Sequence, residues 1–230
     1  MLDAYSPIRP GASRFPPIGS GWTRAFIKRG FDIAASVCLL VLTAPVIVLA
    51  SILIRLTSSG AVLIRQERVG AGGAVFTLYK LRTMREDAER ESGPVLAAED
   101  DPRVTRLGRI MRAARIDELP QLINVLKGDM SLVGPRPERP HFVRRYSERI
   151  PGYELRLTVR PGISGLAQVC GRYSTSAERK LHYDLMYISN YSLLGDIRIL
   201  FRTVLVILHP HTADGIPREA TVSKVDAVDV

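Results

Sequence analysis

IAASVCLLVLTAPVIVLASILI, residues 33–54, is a run of 22 residues without one charge, bounded by Asp32 and Arg55. At about 1.5 Å per residue, a helix of that length reaches across a hydrocarbon core of about 30 Å. No polar face interrupts the run, so it does not read as the core helix of a soluble protein. Pro45 sits at its middle, where a proline removes a backbone donor and kinks or breaks a helix. Both flanks are basic, with Lys28 and Arg29 before the run and Arg55, Arg65 and Arg68 after it. The charge bias therefore gives no orientation, as expected when both flanks stay on the cytoplasmic side. Two arrangements fit. One is a single kinked transmembrane helix. The other is a re-entrant helix over about 28–57 that dips into one leaflet, breaks at Ala44-Pro45 and returns. Its freed backbone groups would need internal partners, because lipid offers none.

Outward from this run, residues 1–22 are rich in Pro, Gly, Ser and Arg and read as an irregular tail. The apolar run begins too late and continues too long for a signal peptide. Trp22 suits an interfacial anchor. Residues 23–208 form one domain, and 209–230 a second irregular tail. Hydrophobic residues make up 46% of the 230-residue chain and charged residues 24%, within the globular range, so overall composition does not suggest disorder. The net charge of +9 asks for a negative partner: nucleic acid, an anionic membrane or a phosphate-bearing substrate. Cys38 and Cys170 lie far apart without a CxxC pattern, and the four histidines show no ligand spacing, which argues against a zinc site or disulfide framework.

Residues 61–69 and 74–83 are β-rich runs around Gly70, Gly72 and Gly73, a predicted hairpin. Residues 85–102 read as a short helix and a loop. RVTRLGRIMRAAR then spaces Arg103, Arg106, Arg109, Arg112 and Arg115 three apart, with apolar residues on another helical face. It predicts a basic amphipathic helix lying on an anionic surface, or one whose arginines face phosphate. Helices are also predicted over PQLINVLKGD, 138–150, 176–190 and 193–208, the last with Ile197, Leu200, Phe201, Val204, Leu205 and Leu208 on one face. RPGISGLAQVCGR, 160–172, reads as a loop.

Asp117-Glu118 is the pair that invites chemistry. An Asp and a Glu before Pro120 are also ordinary helix-start residues. Following directly on the arginine run, however, they can hold a metal between carboxylate and phosphates. A carboxylate can likewise attack phosphorus, splitting a transfer into two steps. Arg136 is fixed between Pro135 and Pro137, and its fork matches a phosphate bidentately; the alternative is a structural turn salt-bridged to a carboxylate. Arg160-Pro161-Gly162 and Gly171-Arg172 either cup a diphosphate or end a strand.

Taken together, KRGFD (28–32), the apolar run with Pro45, YKLRTM (79–84), DELPQLINVLKGDMSLVGPRP (117–137) and RPGISGLAQVCGR (160–172) resemble the bacterial sugar transferases. These are the monotopic phosphoglycosyl transferases that start capsule, exopolysaccharide, O-antigen or glycoprotein glycan assembly. The resemblance runs from about Lys28 to Leu208. It implies an α/β, mostly α, monotopic fold with a Pro-broken re-entrant helix, surface amphipathic helices and a small β-hairpin. It implies that Asp117 is the nucleophile, attacking the β-phosphate of a UDP-sugar and expelling UMP, before polyprenol phosphate takes the phosphosugar. Glu118 would bind Mg²⁺. Lys80, Arg82, Arg112, Pro135, Arg136 and Pro137 would surround the phosphates, and Arg160, Gly162, Gly171 and Arg172 would belong to the nucleotide site. The implied partners are the UDP-sugar, polyprenol phosphate and the cytoplasmic leaflet of the bacterial inner membrane, with a homodimer left open and nucleic acid excluded. Two positions depart from the family pattern: Ala44 stands where a serine is frequent, and Arg115-Ile116 where Ser-Leu is common. The rival readings are a non-enzymatic membrane adaptor and a nucleic-acid binder. The first leaves the Asp-Glu pair unexplained, and the second lacks aromatic platforms.

Overall fold

The computed structural model describes residues 22–88, 95, 101–171 and 175–208. Both tails beyond Trp22 and Leu208, most of 85–102, and Arg172 lie outside them. The first element, α1 (Trp22–Thr57), is one uninterrupted helix that contains Pro45. The expected break at Ala44-Pro45 is therefore not an interruption of the helix. A single proline forfeits one hydrogen bond, and the apolar residues on either side keep the chain helical. Next to it, the hydroxyl of Thr43 donates to the carbonyl of Leu39 at 2.7 Å.

The two ends of α1 are fastened to the same folded body. Near its start, the Lys28 ammonium lies 2.7 Å from Asp196 and 3.5 Å from Asp32, with all three side chains buried. Arg29 donates to the carbonyls of Val125 and Leu126. Near its end, Ala50 and Ile54 pack with Leu81 and Met111. Much of the surface between is open, with Val41 and Leu42 more than two-thirds exposed.

The predicted hairpin is present. Strand β1 (Leu63–Val69) pairs antiparallel with β2 (Val75–Leu81), Ile64 opposite Lys80. Helix α2 (Arg106–Ala113) starts at Thr105, whose side chain caps the Gly108 N–H. A 3₁₀ turn (Ile116–Glu118) leads to α3 (Gln121–Lys127), which ends at Gly128 with φ of 95°, a conformation that favours glycine. Strands β3 (Ser131–Val133) and β4 (Gly162–Ser164) pair in parallel, separated by α4 (Pro140–Arg149). Helices α5 (Leu166–Cys170), α6 (Ala177–Ser189) and α7 (Leu193–Leu208) follow. The 160–172 segment, read as a loop, thus holds a strand and a short helix; its glycines allow close backbone approach. A Cβ on Gly162 would lie 2.0 Å from the Gly134 nitrogen.

The main core gathers Leu78, Leu122, Val125, Met130, Leu132, Val133, Tyr187, Ile188 and Ile199, with Phe31, Ala35 and Leu40 of α1 against it. Along α7, Asp196 and Ile199 face inward while Leu194, Phe201 and Leu208 are exposed. Of the apolar face expected there, Leu200 packs against the core, while Ile197, Phe201, Val204, Leu205 and Leu208 are turned away from it.

Asn124 ties α3 to the hairpin. Fully buried, it accepts from the Tyr79 N–H at 3.1 Å and donates to the Thr77 carbonyl at 2.7 Å. Its amide thereby stands in for a neighbouring strand at the free edge of β2. Asn124→Ala would leave both backbone groups without a partner, a loss of about 2–4 kcal/mol. The expected result is a lower melting temperature in detergent; an unchanged melt would show that this edge is satisfied in some other way.

Candidate active site

The chain makes its approach to Asp117 through an unusual residue. α2 ends at Ala113, and Arg115 takes up φ of 54°, the one non-glycine positive φ among the described residues. That reversal tucks the Ile116–Glu118 turn inward, and both carboxylates become buried, Asp117 at 2% exposure and Glu118 at 6%. Burying a carboxylate is costly unless cations meet it. Strand alternation turns Lys80 and Tyr79 to opposite faces of β2. The Lys80 ammonium lies 2.7 Å from Asp117, while the Tyr79 hydroxyl accepts from Lys127. Arg136 donates to one oxygen of Glu118, and Arg115 lies 3.4 Å from the other. Arg112 is held by the Thr83 hydroxyl at 2.9 Å and acts electrostatically on Asp117.

The two carboxyls respond differently. Burial pushes Asp117 up from the usual carboxylate range, reinforced by Glu118 and opposed by Lys80 and Arg112. Burial alone would raise Glu118 too, but Arg136, Arg115 and Lys80 outweigh it and hold it well below that range. Four cations serve two carboxylates, leaving positive charge for an anionic ligand.

The expected residues separate into two groups. Lys80, Arg112, Asp117, Glu118 and Arg136 come together. Arg82 does not join them: its guanidinium donates to the carbonyls of Ser58 and Ser59 and to the Ser58 hydroxyl, closing the end of α1. Arg160 donates to the Gly128 carbonyl at 3.1 Å, at the end of α3. Gly162 and Gly171 are packing positions; a Cβ on Gly171 would lie 2.5 Å from the Ala167 carbonyl oxygen. The Pro135 carbonyl accepts from Gly162 N–H and that of Pro137 from Arg68, so the prolines frame Arg136. The arginine run also divides. Arg103 precedes α2 and pairs with Asp101, Arg106 and Arg109 are exposed, and Arg112 and Arg115 turn to the carboxylates. It is thus not a uniform basic face.

Arg156 escaped the sequence reading. Buried, it forks onto Asp184, takes the Tyr153 hydroxyl and donates to the Arg136 carbonyl at 2.9 Å, fixing the turn that presents Arg136. No motif marks it; a buried arginine is recognisable only once its partners are folded around it.

Lys80→Met should move the Asp117 titration further upward, since the main opposing charge is gone. The ionised form is then disfavoured in the folded state, so the variant loses stability relative to wild type as pH rises through that titration. Carboxyl NMR on ¹³C-Asp protein checks the shift. A downward move would contradict the role given to Lys80.

Residues 23–210 match the family described as bacterial sugar transferase. The chain is 48% identical over 187 residues to the UDP-N-acetylgalactosamine-undecaprenyl-phosphate N-acetylgalactosaminephosphotransferase of Aeromonas hydrophila, covering 80% of this chain and 44% of that protein. It is 50% identical over 188 residues to the UDP-glucose:undecaprenyl-phosphate glucose-1-phosphate transferase of Caulobacter vibrioides, covering 79% and 69%. It is 40% identical over 190 residues to the exopolysaccharide production protein PSS of Rhizobium leguminosarum bv. phaseoli, covering 78% and 94%. The chain therefore spans less than half the length of the Aeromonas relative.

Proposed function

Because this chain belongs to the bacterial sugar transferase family, we propose that it transfers a sugar-1-phosphate from a UDP-sugar to undecaprenyl phosphate, releasing UMP, at the first membrane step of a surface glycan pathway. The observation that carries this reading is the buried Asp117-Glu118 pair ringed by Lys80, Arg112, Arg115 and Arg136. Phosphoryl transfer needs alignment and charge neutralisation more than a strong nucleophile.

An Asp117 oxygen attacks the β-phosphorus of the donor. The bond from that phosphorus to the bridging oxygen breaks, and UMP leaves with the electron pair. The phosphosugar is then held on Asp117 as an acyl phosphate. An oxygen of undecaprenyl phosphate attacks the same phosphorus, and the carboxylate departs as it was. Lys80 opposes the effect of burial and so favours the Asp117 anion, and Arg136 and Arg115 keep Glu118 ionised. Arg112 and Arg136 add fixed positive charge for the phosphates.

Mg²⁺ takes hard oxygen ligands and usually combines one or two carboxylates with substrate phosphates and water. Glu118 beside a diphosphate offers that donor set, and among the described residues no group of three or more His, Cys, Asp or Glu forms an all-protein cage. When bound, Mg²⁺ would neutralise charge on the diphosphate.

The membrane arrangement has separate support. Both ends of α1 dock on one body, which favours a monotopic protein whose α1 enters and leaves by the cytoplasmic leaflet of the inner membrane, bending about Pro45. The outward apolar face of α7 then lies in the interface. The acceptor presents its phosphate at that level, while the donor arrives from the cytosol. The relatives named for N-acetylgalactosamine and for glucose are almost equally similar, so neither name fixes the sugar.

The test is UMP release from a panel of UDP-sugars with undecaprenyl phosphate and Mg²⁺. One donor should release UMP, and Asp117→Asn should abolish release while still partitioning with membranes. With the acceptor withheld, intact mass should rise by one phosphosugar on the wild type alone. Turnover retained by Asp117→Asn would sink the nucleophile assignment.

A further inference from the structure

Lys180 lies on α6 one turn before Asp184, and side chains four apart share a helix face. Asp184 is locked to Arg156, whose guanidinium also holds the carbonyl of Arg136. One Arg156 nitrogen lies 2.9 Å from both Asp184 and the Arg136 carbonyl, so the face of α6 that bears Asp184 and Lys180 looks toward Arg136. The charges that act on the ammonium are Glu138, Arg136, Arg156 and Asp184.

Each of those four is engaged elsewhere. Arg136 serves Glu118, Arg156 and Asp184 serve one another, and Glu138 lies 3.9 Å from Arg68. Among the described residues the Lys180 ammonium makes neither a hydrogen bond nor an ion pair. It is half-buried beside two guanidinium groups, and burial lowers its pKa. A cation partly removed from water without its own counter-ion is unfavourable until an anion arrives.

We propose that Lys180 is a phosphate-binding residue of the active site, meeting a substrate phosphate on the α6 flank of Arg136. The inference rests on the phosphoglycosyl transfer reading. Two phosphates have the right chemistry: that of the uridine nucleotide and that of the prenyl acceptor.

Direct binding separates this inference from the reaction itself. UMP and a short prenyl phosphate are each titrated calorimetrically into the full chain in detergent, as wild type, Lys180→Gln and Lys180→Arg, with melting temperatures recorded alongside. Losing a charge-assisted contact should weaken one ligand about tenfold or more in Lys180→Gln, with Lys180→Arg close to wild type. Weakened UMP assigns the donor side, and weakened prenyl phosphate the acceptor side. Unchanged binding of both overturns the proposal. So does equal loss in the Arg and Gln variants with a lowered melt, which marks a structural residue. A wild type that binds UMP yet releases none from any donor sinks the transfer reading instead.

Discussion

Two adjacent carboxylates almost wholly out of water impose the constraint around which this protein is arranged. Their mutual repulsion and lost hydration are tolerable only if cations are delivered to them. Arg115 adjoins the pair, and the other cations are carried in by other pieces of chain. The hairpin delivers Lys80, the final turn of α2 delivers Arg112, the left-handed reversal delivers Arg115, and a rigid proline-framed turn delivers Arg136. Three of the four deliveries have their own brace. Asn124 seals the edge of the strand that bears Lys80, Thr83 steadies Arg112, and Arg156 grips the backbone of Arg136.

Local patterning made much of this visible beforehand. Glycines between two β-rich runs announced the hairpin, an uncharged run announced α1, and apolar periodicity announced α2 and α7. The acidic pair stood out because it followed a run of arginines. What the chain alone hid is the difference between an arginine that meets the buried carboxylates and one that meets backbone carbonyls at a helix end. Arg160 sits beside a proline and a glycine much as Arg136 does, and Arg82 sits two residues from Lys80. Their partners are carbonyls of Ser58, Ser59 and Gly128, contributed by remote segments. Asn124 and Arg156 were silent for the same reason: a polar residue inside a helix says nothing until its partner is folded beside it. The arginine run misled in another way, because even spacing implies a continuous helix, whereas the Thr105 cap and the reversal at Arg115 shorten it at both ends.

The long apolar helix is joined to the body by two kinds of contact. Its first turns are held by buried ion pairs and carbonyl contacts from Lys28, Arg29 and Asp32, and its last turns by small and branched apolar packing at Ala50 and Ile54. Polar contacts fix rotation and depth at the start, since a side chain such as Lys28 cannot move outward without abandoning Asp196. Apolar packing at the other end is more tolerant of small shifts.

The Lys28–Asp196 contact also joins positions 168 residues apart. At a synthesis rate of about 5–20 residues per second, Asp196 follows Lys28 from the ribosome by roughly 10–30 s. For that interval the greasy amino-terminal segment exists without the partner that finally secures it. Lipid, or a chaperone holding the nascent chain, has to shelter it for that interval, so the apolar helix needs a host before the body that finally secures it is complete.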